Sequence, residues 1–316
     1  MSKRKIVITK NLHVDLVRQI EEIVPNWEVI IGKDKEVWGG SHINDAEIIV
    51  GYQFSLDTFA NLKWVQSSSA GINHFPIKQF IENDILLTSA NGVHAYPISE
   101  TIFAYLLSLT RKLNTYVKNQ QAKVWHHGGI KQEIHKKTIG IIGVGAIGKE
   151  TAKIAKAFGM KVLGVRYSGL PVQHVDEMYT PNQLHLVLPQ CDYVVVTLPL
   201  TKETYHLFSE EQFKQMKPTA FFINVGRGSL VNEEKLVRAL QEGEIAGAGL
   251  DVFEQEPLDV KSPLWNMDNV IITPHTAGST EYYNQRVIEE IFIPNLKGYL
   301  AGNKPSINLV DYSKGY

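Results

Sequence analysis

Short apolar runs alternate with amphipathic segments along most of the chain. The first part holds four runs of strand type: Lys5 to Thr9, Trp27 to Ile31, Ala46 to Gly51 and Lys63 to Ser68. Between the first two runs, the segment from Leu12 to Ile23 places its apolar residues at the three- and four-residue steps of a helix face. Alternating strands and helices predict a parallel sheet covered by helices, so residues 1 to 96 are expected to form one α/β domain.

The same alternation returns in the second half of the chain. The predicted helices are Pro181 to Leu188, Ser209 to Met216 and Asn232 to Gln241, and the predicted strands are Tyr193 to Thr197, Ala220 to Val225, Ile245 to Asp251 and Val270 to Thr273. The loops that follow these strands carry chemistry: Thr197-Leu198-Pro199, Asn224 to Gly228, Asp251 to Pro257 and Thr273 to Thr276. Because parallel strands end at one edge of a sheet, we expect all four loops to open on the same edge as Gly143.

The stretch from Lys137 to Ser168 combines strand and helix patterns in one unit. Two apolar runs flank an amphipathic segment, and Gly143, Gly145 and Gly148 follow the first run. In this context the first glycine permits a sharp turn, the second lets backbone approach a pyrophosphate, and the third lets the helix pack closely on the sheet. The helix start at Ala146 and Ile147 then offers free N–H groups and a partial positive charge. The unit predicts a dinucleotide site.

The end of the second strand of this unit bears on which dinucleotide binds. An acidic residue there binds the ribose 2′-OH of NAD, whereas an arginine accommodates the 2′-phosphate of NADP. The strand ends in Val165-Arg166-Tyr167-Ser168, without a carboxylate. Arg166 is either a solvated turn residue or a phosphate ligand, and the missing carboxylate favours NADP(H) over NAD(H).

A loop of small residues, Ser69 to Asn73, follows the strand from Lys63 to Ser68. Open α/β sheets bind ligands at the carboxyl ends of their strands, and small residues let backbone N–H groups face an anion. The loop is therefore either a binding site for a substrate carboxylate or a plain turn.

Two further segments can be interpreted either as purely structural or as functional. A long helical stretch opens at Pro97, and its apolar stripe up to Val117 belongs either to the core or to a subunit interface. Residues 125 to 135 hold three histidines and a glutamate, but no second ligand cluster at a metal-binding spacing accompanies them. We expect the first to contribute to an interface and the second to be a polar linker with no metal.

Composition removes several classes of function. The 316 residues suit two domains, and a net charge of −1 gives no basic excess for nucleic-acid binding. No apolar stretch approaches the roughly twenty residues of a membrane span, and the N-terminal residues lack a secretory apolar region. The single cysteine, Cys191, excludes an intramolecular disulfide. We expect a cytoplasmic enzyme with no membrane partner.

Three of the loops at the expected cofactor edge each supply one reactive side chain. Hydride transfer to a 2-oxo acid needs a cation to hold the carboxylate and an acid to protonate the developing alkoxide. Arg227 suits the first role because its planar fork matches a carboxylate, and His275, paired with Glu256, suits the second. Singly each residue could be a solvated loop residue, but together they predict an active site.

The motifs GVGAIG, INVGRGSLVNEEKLVRAL, GAGLDVFEQEPL and ITPHTAG resemble those of the D-isomer-specific 2-hydroxyacid dehydrogenase family, over essentially the whole chain. The resemblance implies a catalytic set of Arg227, Glu256 and His275. It also implies two doubly wound parallel-sheet domains of Rossmann or flavodoxin type. The substrate domain, residues 1–96 plus a C-terminal helix from about Ile288 to Tyr316, would be split by a cofactor domain of residues 97–287. The protein would be a homodimer built through the cofactor domain.

The resemblance extends to the ligand contacts. Expected cofactor contacts are Gly143, Gly145, Ala146, Ile147, Gly148, Arg166, Tyr167, Ser168, Thr197, Leu198, Pro199, Val225, Gly226, Asp251 and Gly278, and expected substrate contacts are Ala70, Gly71, Asn91 and Val93. In relatives the counterpart of Asp251 contacts the nicotinamide carboxamide. Arg166 stands where an acidic residue is expected, which matches the NADP-using glyoxylate/hydroxypyruvate reductases.

The resemblance implies reduction of a small 2-oxo acid to the D-2-hydroxy acid. Two alternatives stay open. One is an NAD-linked D-lactate or phosphoglycerate-type dehydrogenase. The other is a nucleotide-sensing protein, because relatives include corepressors that use the cofactor fold as a switch.

Overall fold

The computed structural model describes residues 3–32, 45–51, 60–72 and 75–312. Asn73, at the end of the predicted carboxylate loop, lies outside these ranges. None of the helices within them has the length and apolar character that crossing a membrane requires.

The chain divides into two compact units. Unit 1 comprises residues 1–93 and 280–316, and unit 2 comprises residues 94–279. The sequence placed the corresponding boundaries after residues 96 and 287. The assignment of substrate to unit 1 and of cofactor to unit 2 stays a prediction at this point.

Unit 1 is built on a five-stranded parallel sheet. Its strands are β1 (Lys5–Ile8), β2 (Glu28–Ile31), β3 (Ile48–Val50), β4 (Trp64–Gln66) and β5 (Leu86–Thr88), in the order β2-β1-β3-β4-β5. Helices α1 (Val14–Ile23) and α2 (Ile77–Glu82) connect them. The order is that of flavodoxin-like folds. Strand β5 was not predicted. Strands β3 and β4 are equally short, but they lie in the longer predicted runs 46–51 and 63–68, whereas the apolar run at β5 is only Ile85 to Leu87.

Both faces of this sheet are buried, as a doubly wound fold requires. Along β1, Val7 belongs to one apolar cluster whereas Ile6 and Ile8 belong to the other, and in β3 Ile49 and its two neighbours divide in the same way. Because successive strand residues point to opposite faces, such short strands must be apolar throughout.

Unit 2 is built on a seven-stranded parallel sheet in the order β12-β11-β10-β9-β6-β7-β8. The strands are β6 (Thr138–Ile142), β7 (Lys161–Val165), β8 (Glu177–Tyr179), β9 (Tyr193–Val196), β10 (Phe221–Asn224), β11 (Gly247–Leu250) and β12 (Val270–Ile272). The helices are α3 (Ala95–Thr110), α4 (Leu113–Gln121), α5 (Ala146–Ala157), α6 (Leu184–Val187), α7 (Glu210–Gln215) and α8 (Glu233–Glu242). The first six strands in chain order follow the Rossmann order, so the predicted fold class is confirmed.

The predicted long helix after Pro97 is interrupted. Lys112 adopts a left-handed backbone (φ 58°) and separates α3 from α4. Helix α3 buries Ile102, Phe103 and Leu106 in the core of unit 2, whereas α4 buries no residue. The apolar stripe therefore divides into a core half and an exposed half.

The C-terminal segment differs from the single helix predicted from about Ile288 to Tyr316. Helix α9 (Tyr283–Arg286) starts earlier and runs through a π-helical segment (Val287–Phe292) into α10 (Ile293–Leu300). Gly302, with a φ of 84°, and Pro305 stop the helix. Beyond them, Leu309 forms an antiparallel bridge to Thr88. The prediction that this segment is helical to its end is wrong.

Candidate active site at the carboxyl edge of the unit 2 sheet

The parallel register brings the ends of the central strands of unit 2 into line. Ile142 pairs with Val196, Val196 with Asn224, Asn224 with Leu250, and Leu250 with Ile272. The loops that follow these strands therefore open on one edge together with Gly143, which confirms the prediction made for them.

The glycine turn at this edge is held in close contact with its neighbours. Gly143 has a φ of 110°, and a Cβ added to it would lie 3.0 Å from atoms of Thr197 and Leu198. A Cβ on Gly148 would lie only 2.4 Å from the Gly143 carbonyl oxygen. By contrast, a Cβ on Gly145 would meet no atom within 4 Å. Two of the glycines thus allow tight packing, and the middle one borders open space.

Helix α5 begins directly at this open space. Gly145 is its N-cap and provides no side-chain cap, so the N–H groups at Ala146 and Ile147 have no capping side chain. The Thr197 hydroxyl donates to the Gly143 carbonyl at 2.5 Å and fixes the turn from the side of β9. The uncapped N–H groups at the start of this helix border open space beside Gly145. This arrangement can bind a pyrophosphate.

The turn after β7 carries Arg166. Its backbone N–H donates to the Tyr179 carbonyl and its carbonyl accepts from the Gly169 N–H, so the turn itself is ordered. Within the described residues the Arg166 side chain makes no ion pair, and it is partly exposed next to the exposed Tyr167 and Ser168. A cation without a carboxylate partner at this position is suited to an incoming anion.

A histidine and a glutamate meet at the same edge. His275 Nδ1 lies 2.8 Å from Glu256 Oε2, and Glu256 Oε1 accepts the Phe253 N–H at 3.1 Å. The side chains of His275 and Glu256 are 50% and 36% exposed. Because Nδ1 faces the carboxylate, the imidazole presents Nε2 as the nitrogen that a substrate can reach.

The surroundings of Glu256 keep it ionised. Partial burial opposes ionisation, but the hydrogen bonds from His275 and from the Phe253 N–H, together with the positive charges of His275 and Arg227, outweigh it. The net effect lowers the pKa of the Glu256 carboxyl from its ordinary 4.5. Glu256 is therefore an anion beside the imidazole throughout the neutral range.

Arg227 lies in a turn that is tied to the Glu256 loop. The Asn224 amide donates to the Arg227 carbonyl and accepts from the Gly226 N–H, both at 3.1 Å. A Cβ on Gly228 would lie 1.8 Å from the Phe253 carbonyl oxygen, so the two loops touch through their backbones. Only glycine permits this approach, which places the Arg227 charge near Glu256.

Asp251 is occupied by the turn that carries His275. Its buried carboxylate accepts the Thr276 N–H at 2.9 Å, the Ala277 N–H at 3.1 Å and the Thr273 hydroxyl at 2.5 Å. The nicotinamide contact implied by the resemblance stays a prediction. The motif ITPHTAG marked this turn, but no sequence pattern indicated that its threonine binds Asp251.

The other cofactor contacts predicted in unit 2 also lie at this edge. Val225 and Gly226 are buried, Leu198 is partly buried and Pro199 is exposed. The Gly278 carbonyl lies 3.1 Å from His94 Nδ1.

The four predicted substrate contacts lie in unit 1. Ala70 and Gly71 are exposed in the loop after β4, and a Cβ on Gly71 would meet no atom within 4 Å. Asn91 is exposed, whereas Val93 is buried and packs in a cluster with Ala90, Val287 and Ile291. Their roles stay predictions.

The histidine-rich segment is a surface segment, as predicted. His126, His127 and His135 are all exposed. In the ranges that the structure describes, no three histidine, cysteine, aspartate or glutamate side chains are grouped so that they could hold a metal ion.

Comparison with known proteins identifies the family. A family model described as D-isomer specific 2-hydroxyacid dehydrogenase, NAD binding domain, matches residues 103–277. The chain belongs to the D-isomer specific 2-hydroxyacid dehydrogenase family. The resemblance found in the motifs is thereby confirmed, and the protein is an oxidoreductase whose unit 2 binds a nicotinamide dinucleotide.

Relatives within this family match most of the chain. A glyoxylate/hydroxypyruvate reductase B of Escherichia coli is 34% identical over 95% of this chain and 96% of its own. A glyoxylate reductase of Thermofilum pendens is 39% identical over 79% of this chain and 75% of its own. Among solved structures, a D-isomer specific 2-hydroxyacid dehydrogenase family protein from Aeromonas salmonicida has a TM-score of 0.83 at 33% identity, covering 98% of this chain and 100% of that one.

Several of the similar solved structures contain a nicotinamide cofactor. An NADPH-dependent glyoxylate/hydroxypyruvate reductase from Sinorhizobium meliloti, in complex with NADP and sulfate, has a TM-score of 0.81 at 26% identity. The match covers 99% of this chain and 100% of that chain.

Two glycine substitutions in this dehydrogenase should separate binding from folding. Gly145→Ala places its methyl group in the open space at the helix start, so we expect dinucleotide affinity to fall at least about tenfold while stability changes by less than about 1 kcal/mol. Gly148→Ala drives its methyl group into the Gly143 carbonyl and should cost about 1–3 kcal/mol of stability. Fluorescence titration with nucleotide measures the affinity, and urea unfolding measures the stability. Equal loss of stability in the two variants would contradict this division of roles.

Proposed function

We propose that the protein reduces a small 2-oxo acid of the glyoxylate or hydroxypyruvate type to the D-2-hydroxy acid, with NADPH as the preferred reductant. The observation that carries the proposal is the contact of His275 Nδ1 with Glu256 Oε2, at the same sheet edge as the glycine turn and Arg227. Relatives named glyoxylate reductases and glyoxylate/hydroxypyruvate reductases support this substrate class.

Backbone N–H groups would hold the pyrophosphate of the cofactor, and a cation would hold its adenosine 2′-phosphate. The pyrophosphate would lie at the bare start of α5 beside Gly145, and Arg166 would face the 2′-phosphate of the adenosine ribose. When bound, the nicotinamide supplies a hydride to the carbonyl carbon of the 2-oxo acid.

Arg227 would orient the substrate. Its guanidinium offers paired N–H donors that match the carboxylate, and its positive charge stabilises negative charge developing on the carbonyl oxygen. One of the Arg227 nitrogens, Nη1, donates to the Gly226 carbonyl at 2.7 Å, so the guanidinium is already partly oriented.

His275 would deliver the proton. The Glu256 carboxylate stabilises the imidazolium and fixes the Nδ1 proton, so Nε2 can donate to the developing alkoxide. A nucleotide sensor has no need for a histidine and a carboxylate at hydrogen-bond distance on exposed loops. This pair therefore favours catalysis over sensing.

The homodimer is also part of the proposal. Helix α4 and the segment that follows it expose several large apolar side chains: Leu113, Val117, Val124, Trp125 and Ile130. Trp125 and Ile130 are almost completely exposed in the single chain. Large exposed apolar side chains grouped in one segment are typical of a protein–protein interface, and a second copy of the chain is the partner that the family resemblance implies.

His275→Gln should lower turnover with glyoxylate by about 100-fold or more and leave the Kd for NADPH within about twofold, because it removes an acid and no nucleotide contact. His185→Gln, on an exposed face of α6, is the matched control and should retain full activity. Parallel loss of turnover and nucleotide affinity would contradict the role of His275.

Arg166→Ala should raise the KM for NADPH about tenfold and leave the KM for NADH nearly unchanged, since one charged hydrogen bond to the 2′-phosphate is lost. Oxidation of both nucleotides is followed at the nicotinamide absorbance with glyoxylate, hydroxypyruvate, pyruvate and 2-oxoisocaproate. Turnover with NADH alone would overturn the preference for NADPH, and nucleotide binding without any turnover would overturn the reductase in favour of a sensor.

Trp125→Glu should convert a dimer into a monomer, because a charge buried in an apolar interface is strongly unfavourable. Light scattering after size exclusion measures the mass. Val260→Glu, on an equally exposed apolar residue outside this surface, should leave the dimer intact. A monomeric parent protein, or a dimer that tolerates Trp125→Glu, would refute this interface.

A further inference from the structure

A series of two hydrogen bonds, whose two ends are buried, reaches the His275 turn from helix α3. The Tyr105 hydroxyl contacts Thr273 Oγ1, and Thr273 Oγ1 lies 2.5 Å from Asp251 Oδ1. Tyr105 is 3% exposed and Asp251 is 2% exposed, so solvent has almost no access to either end. These hydrogen bonds connect helix α3 of unit 2 to the sheet edge where His275, the proposed acid, lies.

The donor of each hydrogen bond between Tyr105, Thr273 and Asp251 can be assigned. The Thr273 hydroxyl donates its single proton to Asp251 Oδ1, which also accepts two backbone N–H groups. Thr273 can then only accept from Tyr105, which must be the donor. Burial raises the pKa of the Tyr105 hydroxyl, the hydrogen bond with Thr273 lowers it and the negative charge of Asp251 raises it. The net shift of this pKa is upward, so the tyrosine keeps the proton it donates.

Asp251 in turn shapes the backbone around His275. Its carboxylate accepts the N–H groups of Thr276 and Ala277, and its carbonyl accepts the His275 N–H at 2.8 Å. His275 has a φ of 54°, a left-handed conformation that is unfavourable for a residue with a side chain. The hydrogen bonds to Asp251 surround this residue and hold it in that conformation.

Strand β11 makes room for the tyrosine. A Cβ on Gly249 would lie 2.5 Å from the Tyr105 Cγ, so the aromatic ring rests directly on the strand backbone. From there its hydroxyl reaches Thr273, one residue beyond the end of β12. A shorter or purely apolar side chain at residue 105 would fill part of the same space without reaching the turn.

We propose that Tyr105 and Thr273 are positioning residues for the reaction, which hold the Thr273–Ala277 turn through Asp251 and thereby keep the His275 imidazole aligned with Glu256. The inference rests on the proposed role of His275 as the acid. Neither side chain needs to contact substrate or cofactor for this role.

The kinetic test separates alignment from binding. Tyr105→Phe removes only the donor hydroxyl and should lower kcat with glyoxylate about three- to tenfold, with both KM values within about twofold of the parent. Thr273→Val breaks both bonds and should lower kcat about 10- to 100-fold, as small misplacements of a reacting group do. Thr273→Ser keeps the hydroxyl and should restore most of kcat.

A matched control exists in the same core. Tyr193 is also buried, and its hydroxyl lies 2.8 Å from Thr110 Oγ1, which is buried as well. Tyr193→Phe removes a comparable buried hydroxyl that has no connection to the His275 turn. It should leave kcat unchanged, and a loss equal to that of Tyr105→Phe would overturn the proposal.

Amide hydrogen exchange tests the turn without any need for activity. In Tyr105→Phe and Thr273→Val the N–H groups of Thr276 and Ala277 should exchange faster than in the parent and in Tyr193→Phe, because their acceptor is less firmly held. Unchanged exchange in both variants would overturn the proposal, and so would faster exchange with an unchanged kcat. A parent protein that lacks reductase activity would refute the proposed function, whereas the exchange rates alone would still decide whether Tyr105 holds the turn.

Discussion

The site depends on the parallel arrangement of the strands in unit 2. Parallel strands end at a common edge, so residues far apart in the chain meet there. Gly143, Arg227, Glu256 and His275 follow four different strands, yet the pairing of Ile142 with Val196 and of Asn224 with Leu250 places their loops side by side. A change of register in any one strand would separate groups that must act together.

Within that edge, backbone contacts set the distances. Gly143 and Gly148 let the helix start approach the sheet, and Gly228 lets the Arg227 turn touch the loop of Glu256. Gly249 gives the Tyr105 ring its place on β11. In each case an added methyl group would meet another atom of the chain, so these glycines are required by packing, whereas Gly145 borders space that a ligand can fill. The same residue type therefore serves two purposes, which only the surroundings of each glycine distinguish.

Much of the fold could be predicted from the sequence because the central strands of both sheets are buried on both faces. Such strands are short, mostly apolar runs, and their alternation with helices identified the parallel sheets. Strands β5 and β8 and the break at Lys112 could not be predicted, because the apolar runs at these two strands are too short and a lysine does not indicate a left-handed backbone. The end of the C-terminal helix was missed although Gly302 and Pro305 are visible in the sequence.

The loops that carry Arg227, Glu256 and His275 could be found from their motifs. The hydrogen bonds of Asp251 could not, because they join residues that become neighbours only in the folded chain.

The pH dependence of kcat/KM, compared between the parent and Glu256→Gln, tests the central claim that an ionised Glu256 supports His275 as the proton donor. Because the pKa of the Glu256 carboxyl is lowered from 4.5, the carboxylate is present above that value and is lost only as the pH falls through the lowered pKa. The amide in the variant cannot stabilise an imidazolium, so the account predicts that activity declines at a lower pH than in the parent as the pH is raised. A basic limb at the same pH in both proteins would contradict it.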